Sequence, residues 1–186
     1  MIPGIIIVVI LVVIVLWFIS AYNGFVRAKN NVEEGFSTMD VYLKKRFDLI
    51  PNLVATVQGY AKHEKETLES ITAARTKISG ASTIEERAEG ENQLTGALKT
   101  LFAVAEAYPD LKANQNFLDL QGQLQSVEAD IANARKYYNA VVKDYNNRCM
   151  MFPSSILAKI FRFTKEPMFE VGSEQERENV KVDFSA

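Results

Sequence analysis

The chain holds 1 cysteine, 1 histidine and 1 tryptophan in 186 residues. Those scarcities exclude more chemistry than any motif supplies. Cys149 has no partner for an intramolecular disulfide, which is compatible with a reducing compartment and does not establish one. It reads as a small apolar residue at the end of a helix. His63 opens the string HEKET in the manner of a zinc-protease motif, but the second histidine four residues on is missing. One histidine and one cysteine cannot build an ordinary zinc site, and a di-iron bundle needs a Glu-x-x-His pair on each of two helices. No G-x-S-x-G, Walker loop or dinucleotide fingerprint is present. Asp48, Glu64 and Asp110 are accounted for by capping and solvation, and His63 by a surface or corner position. The expectation is a protein with no catalytic residues, no cofactor and no metal, and hence not an enzyme.

Charge of one sign is not in excess either, with 21 basic against 23 acidic residues. No broad field favours nucleic acid, and none is expected as a partner. Five prolines and 9 glycines are few. Long uninterrupted elements are therefore expected, and low-complexity linkers are not. No repeat at a solenoid period is evident.

What the sequence does have is a long apolar N-terminus. IPGIIIVVILVVIVLWFI, from Ile2 to Ile19, carries no charge. Eighteen helical residues reach roughly 27 Å, close to the ~30 Å hydrocarbon core of a bilayer. Ile5, Val9, Val13 and Leu16 would face lipid, and Trp17 and Tyr22 fall at one edge, where amphipathic rings prefer to sit. A cleaved signal peptide would want a basic start, a shorter apolar core and a better site than Ser20-Ala21. The segment reads as a retained transmembrane anchor. Arg27 and Lys29 follow the span, Lys44, Lys45 and Arg46 lie further on, and no Lys or Arg precedes it. The positive-inside rule thus favours a cytoplasmic main domain.

Four helical stretches follow from apolar spacing. The clearest, from about Leu111 to Cys149, places Phe117, Leu120, Leu124, Val127, Ile131, Ala134, Tyr138, Val141 and Tyr145 on one seam. A sustained 3.5-residue repeat favours neighbours crossing near +20°, as in antiparallel bundles and coiled coils. Phe25, Val32, Phe36, Met39, Leu43 and Ile50 mark the first stretch, with Lys29 and Arg46 on its stripe. Leu53, Val57, Ala61, Leu68, Ile71 and Ile78 mark the second, with Glu64 and Arg75 on its seam. The third runs through Ile84, Ala88, Leu94, Leu98, Leu101, Ala105 and Tyr108. Charged residues on these stripes read as seam edges, with the stem packed and the head in water.

The breaks follow known chemistry. Gly80 can end the second helix as a left-handed C′ residue, and Ser82 or Thr83 caps the third ahead of Glu85 and Glu86. Pro109 stops the third, and Asp110 is a good N-cap for the fourth. In RFDLIPNLV two readings stay open. Asp48 as N-cap puts Pro51 in the first turn of a new helix, where its missing N–H costs little, and this corner is favoured. The rival is a kinked continuous helix, because Leu49, Ile50, Leu53 and Val54 keep helical spacing across the proline.

YNGFVRAKNNVEEGFSTMDVYLKKRFDLIPNLVATVQGYAKHE, then ALKTLFAVAEAYPDLKANQNFLDLQGQL and ARKYYNAVVKDYN, closely resemble LemA family proteins. The resemblance runs from Tyr22 to about Phe169, and DLIPNLV, YPDLKAN and the closing YN–YN–FP series are specific in combination. Departures are mild: Ala28-Lys29-Asn30 where the family tends to Arg-Asn, and Gly35 where alanine is common. The resemblance implies a bacterial, membrane-anchored, antiparallel four-helix bundle without established enzymatic activity. Some members are linked to shaping or organising membranes, and others are encoded near membrane peptidases.

The expected fold is all-α: an N-terminal transmembrane helix followed by an antiparallel up-and-down four-helix bundle. Residues 1–21 form the anchor, 22–149 the bundle, 150–165 a short amphipathic segment and 166–186 an acidic C-terminal tail. The fourth helix exceeds the third by some ten residues, about 15 Å. Its end is therefore expected at the membrane surface, with Tyr137, Tyr138 and Tyr145 suited to an interface. In CMMFPSSILAKIFRFTK, Ser154 or Ser155 can cap a helix carrying Ile156, Leu157, Ile160 and Phe161, with Lys159, Arg162 and Lys165 available to anionic headgroups. That segment is expected either to lie on the bilayer or to cap the open end of the bundle. The leading functional reading is a structural protein of the bacterial inner membrane that crosses it once, self-associates as a homo-oligomer and organises the lipid bilayer. The alternative is a regulatory adaptor or sensor for a membrane peptidase or another membrane protein partner.

Overall fold

The computed structural model describes residues 2–61 and 63–170, with the side chain of Ile2 left undescribed. These residues form six helices and no strand: α1 (Ile2–Tyr60), α2 (Lys65–Gly80), α3 (Ile84–Ala105), α4 (Pro109–Lys112), α5 (Gln115–Met150) and α6 (Ser154–Phe161). They divide into two compact units. The first joins the chain up to Tyr42 to Asp130–Met168; the second holds Leu43–Ala129 and the described residues after Met168.

Helix α1 runs without a break through Asp48 and Pro51. The corner expected there is absent, and Asp48 is no N-cap; it pairs instead with Lys44 one turn back, at 3.2 Å. Continuity follows from the buried stripe. Phe25, Ala28, Val32, Met39, Leu43, Arg46, Ile50, Leu53, Val57 and Ala61 are all buried and advance in steps that stay in helical phase across the proline. Pro51 sits on the exposed face, so the carbonyl its ring strips of a partner can turn to water. An interior proline costs about 3 kcal/mol. Burying Leu53 and Val57 at roughly 1.5–3 kcal/mol each is enough to offset that. The helix ends later, at Tyr60, and exposed His63 lies in a turn before α2.

In the second unit, Ile50, Leu53 and Val57 pack with Leu68 and Ile71 of α2, Leu94, Leu98 and Leu101 of α3, and Phe117 and Leu124 of α5. The α3 start is capped as expected. The Thr83 hydroxyl accepts the Glu86 N–H, and the Glu86 carboxylate accepts the Thr83 N–H in return. Gly80 differs from expectation: no described glycine has a positive φ, and Ala81 in extended conformation ends α2. Gly90 lets α3 approach α2, since a Cβ there would lie 2.9 Å from Ile78 Cγ1. Pro109 begins the short α4 rather than only stopping α3, and Asp110 lies inside it. Asn114, not Asp110, caps the long helix, its Oδ1 accepting the Phe117 N–H at 3.0 Å.

The first unit is built on aromatic rings. Phe25 stacks on Phe163 with centroids 4.8 Å apart and meets Tyr145 edge-on at 6.4 Å. Phe36 meets Tyr138 edge-on at 5.8 Å. Tyr138 and Tyr145 are therefore core residues, contrary to the interfacial role expected of them, and of the three tyrosines only Tyr137 is exposed. The α5 seam also slips by one position near its end, burying Val142 fully and Val141 only partly. A segment expected as tail is fastened instead. Asn146 exchanges two hydrogen bonds with the Glu166 backbone, at 2.8 and 2.9 Å, and the Tyr138 hydroxyl donates to the Pro167 carbonyl at 2.9 Å. In the second unit Phe169 is fully buried and Asn92 donates to the Glu170 carbonyl. The rest of the expected tail, 171–186, lies outside the described residues.

Candidate functional site

Ile5, Val9, Val13 and Leu16 are each more than half exposed, and Trp17 and Tyr22 are exposed beside them. The most apolar 18-residue window of α1 has a mean hydropathy of 3.2, and none of it is buried. A core helix of this composition would be covered by protein; this one presents apolar side chains all round, as a membrane span does. The helix passes through Ser20 and Ala21 without interruption.

Helix α6 meets the end of that span. Phe161 lies 5.7 Å from Phe18 and 4.7 Å from Tyr22, ring centroid to centroid. Leu157 and Ala158 are buried, whereas Ile156 and Ile160 are at least half exposed. The apolar residues expected on one face thus divide between two. Leu157, Ala158 and Phe161 hold the helix against protein; Ile156 and Ile160, one turn apart, point away from it. Lys159 and Arg162 are exposed at the margin. Arg162 ends the helix in the left-handed region, φ 58° and ψ 36°, while the Phe163 N–H closes onto the Ala158 carbonyl at 2.9 Å. Just upstream, Met150, Met151 and Phe152 are exposed, the last at 81%.

A second polar constellation lies in the core of the second unit. Arg46 was expected with its head in water, yet it is 0% exposed. Its Nη1 donates to Thr95 Oγ1 at 2.7 Å and to Glu128, and its Nη2 donates to the Glu91 carboxylate and, at 3.2 Å, to the Glu91 carbonyl. Glu91, 1% exposed, went unremarked in the sequence, where nothing marks a helical glutamate 45 positions from its partner. Periodicity was the available signal: Glu91 stands three before Leu94 on the α3 seam. Burial raises the Glu91 carboxyl above its usual value, against the lowering effects of Arg46 and Arg87. One guanidinium faces two carboxylates, so Arg46 cannot fully satisfy both. Arg46 Nε and Glu91 Oε1 have no hydrogen-bond partner.

The other seam charges are also engaged. Glu64 accepts the Tyr108 hydroxyl at 2.7 Å, Arg75 lies 4.3 Å over the Phe47 ring, and Lys29 approaches Glu166 at 4.0 Å. Cys149 is half-buried, and burial pushes its thiol pKa up, away from the reactive thiolate.

Among the described residues, helices without strands and one long apolar span uncovered by protein define an all-helical membrane-associated protein. The chain matches the LemA family over residues 35–184 and belongs to that family. It is 26% identical to Protein LemA of Metamycoplasma hominis over 173 residues, covering 90% of this chain and 76% of the relative. It is also 26% identical to Magnetosome protein MamQ 2 of Paramagnetospirillum magneticum, covering 80% of this chain and 64% of the relative. Magnetosome protein MamQ of Magnetospirillum gryphiswaldense is similar at 26% identity, with 86% and 68% covered.

Proposed function

We propose that this protein is a non-enzymatic, membrane-anchored scaffold that self-associates and organises or shapes the bilayer. The observation that carries the reading is the unbroken α1. Residues that would stand in lipid and residues that pack the first unit belong to one uninterrupted helix, so lateral contacts between neighbouring proteins act on the spacing of their spans. The relatives named as magnetosome proteins support the reading, since their names attach them to a cellular structure rather than to a reaction.

The domain is an antiparallel four-helix bundle with up-and-down connections. Phe25 pairs with Tyr145 and Phe36 with Tyr138, so numbers fall along α5 as they rise along α1, and short turns join α2 to α3. It hangs from a single span of the bacterial inner membrane on the cytoplasmic side, in keeping with Arg27 and Lys29 directly after the span. Detergent-extracted full-length protein is expected to sediment as a defined homo-oligomer. A strictly monomeric particle at micromolar concentration removes self-association from the account and leaves a membrane-protein adaptor as the better reading.

A further inference from the structure

We infer that the outward face of α6, with the Met151–Phe152 turn before it, inserts into the bilayer as a second, shallow attachment beside the transmembrane span. The inference rests on α1 being membrane-embedded and is independent of self-association.

Three observations carry it. The first is division of labour within eight residues: Leu157 and Ala158 are 0% and 3% exposed, while Ile160 is 58% exposed. Packing against protein therefore accounts for one side of α6 and leaves the other unexplained. The second is continuity. Phe161 touches Phe18 and Tyr22 at the end of the span, so the exposed isoleucines adjoin an apolar surface that already requires lipid. The third is the character of the patch. Phe152 at 81% exposure is a large aromatic presented almost whole to its surroundings, in a region flanked by the exposed cations Lys159, Arg162 and Lys165. Apolar residues rimmed by cations are what an interfacial helix offers to acyl chains and anionic headgroups. Arg162 holds a left-handed position that glycine would occupy without steric cost, keeping a cation at the rim.

The occupant is thus a lipid surface rather than a protein. A second copy of the chain would have to cover the patch at the end of the span, where lipid competes for the same space.

The test places an environment-sensitive fluorophore on the full-length protein in vesicles of phosphatidylcholine and phosphatidylglycerol. Cys149→Ala removes the native thiol; single cysteines then go to Ile160, to Val13 in the span, and to Val41. Val41 is an exposed residue of the first unit, roughly 28 Å along α1 from Tyr22 at 1.5 Å per residue. Lipids spin-labelled high on the acyl chain should quench the label at 160 and shift its emission to the blue, while the label at 41 stays aqueous. Ile156→Glu with Ile160→Glu should abolish the quenching of a label at Phe152 without loss of helix content by circular dichroism. The label at 13 separates the two ideas. Lipids spin-labelled deep on the acyl chain should quench it: if they do not, the anchor reading fails; if they do while no spin-labelled lipid quenches the label at 160, the second attachment does not exist. A label at 160 shielded from aqueous iodide yet untouched by spin-labelled lipid means that protein covers the face, which also overturns the proposal.

Discussion

Arg46 shows what a single buried charge demands of its surroundings. Removing a guanidinium from water is costly, and the cost is met only if its donors find acceptors. Thr95, Glu91 and Glu128 supply them to the two terminal nitrogens and leave Nε without one. Such a cluster specifies packing more than it stabilises it, and two predictions follow the asymmetry. Arg46→Met leaves Glu91 buried without its guanidinium hydrogen bond and should cost about 3–5 kcal/mol in denaturant unfolding of the detergent-solubilised chain. Adding Glu91→Leu should recover most of that loss, because Glu128 is partly exposed and can be hydrated; a double variant no better than the single one would show that the pair is not the coupled unit. The second prediction concerns pH. A carboxyl with a raised folded pKa binds its proton more tightly in the folded chain than in the unfolded one. Its contribution is fully present below the ordinary value of 4.5 and is lost as pH rises through the raised value. Stability should fall across that window in the native protein, and Glu91→Gln should remove this fall. Superimposable pH profiles would mean that Glu91 ionises as an unperturbed carboxylate.

The helices explain why some features were legible in advance and others were not. Periodicity located most of the α3 and α5 seams, and an uncharged apolar run marked the candidate span, because each is a property of one stretch of chain. It misplaced the first corner because Pro51 pulls locally toward a helix start while the stripe from Ile50 to Val57 asks for continuity. Propensity argued for a break of about 3 kcal/mol, and tertiary burial outweighed it. Pro51→Ala should therefore stabilise the protein, by up to about 3 kcal/mol, since it restores an N–H donor in an exposed helix interior. A destabilising effect in thermal melts would revive the corner. Spacing could not reveal that Asn114 rather than Asp110 caps α5, because both residue types suit the position and only the extra turn of α4 decides. Nor could it foresee the fastening of Glu166 and Pro167 by Asn146 and Tyr138, which joins residues 20 and 29 positions apart. The apolar residues of α6 were recognised, but their division between two faces depends on where Phe18 and Tyr22 stand.

For the molecule as a whole, membrane association and assembly are separate matters. Membership of the LemA family and the uncovered span establish the first. Assembly is the proposal, and it rests on a helix that carries span and packed domain together. Its most direct measurement is electron cryotomography of vesicles bearing the full-length protein at rising density. The account predicts ordered protein layers or a change in membrane curvature once the protein is crowded, with the spans spaced regularly. Dispersed, unassociated particles on undeformed vesicles at every density would contradict it.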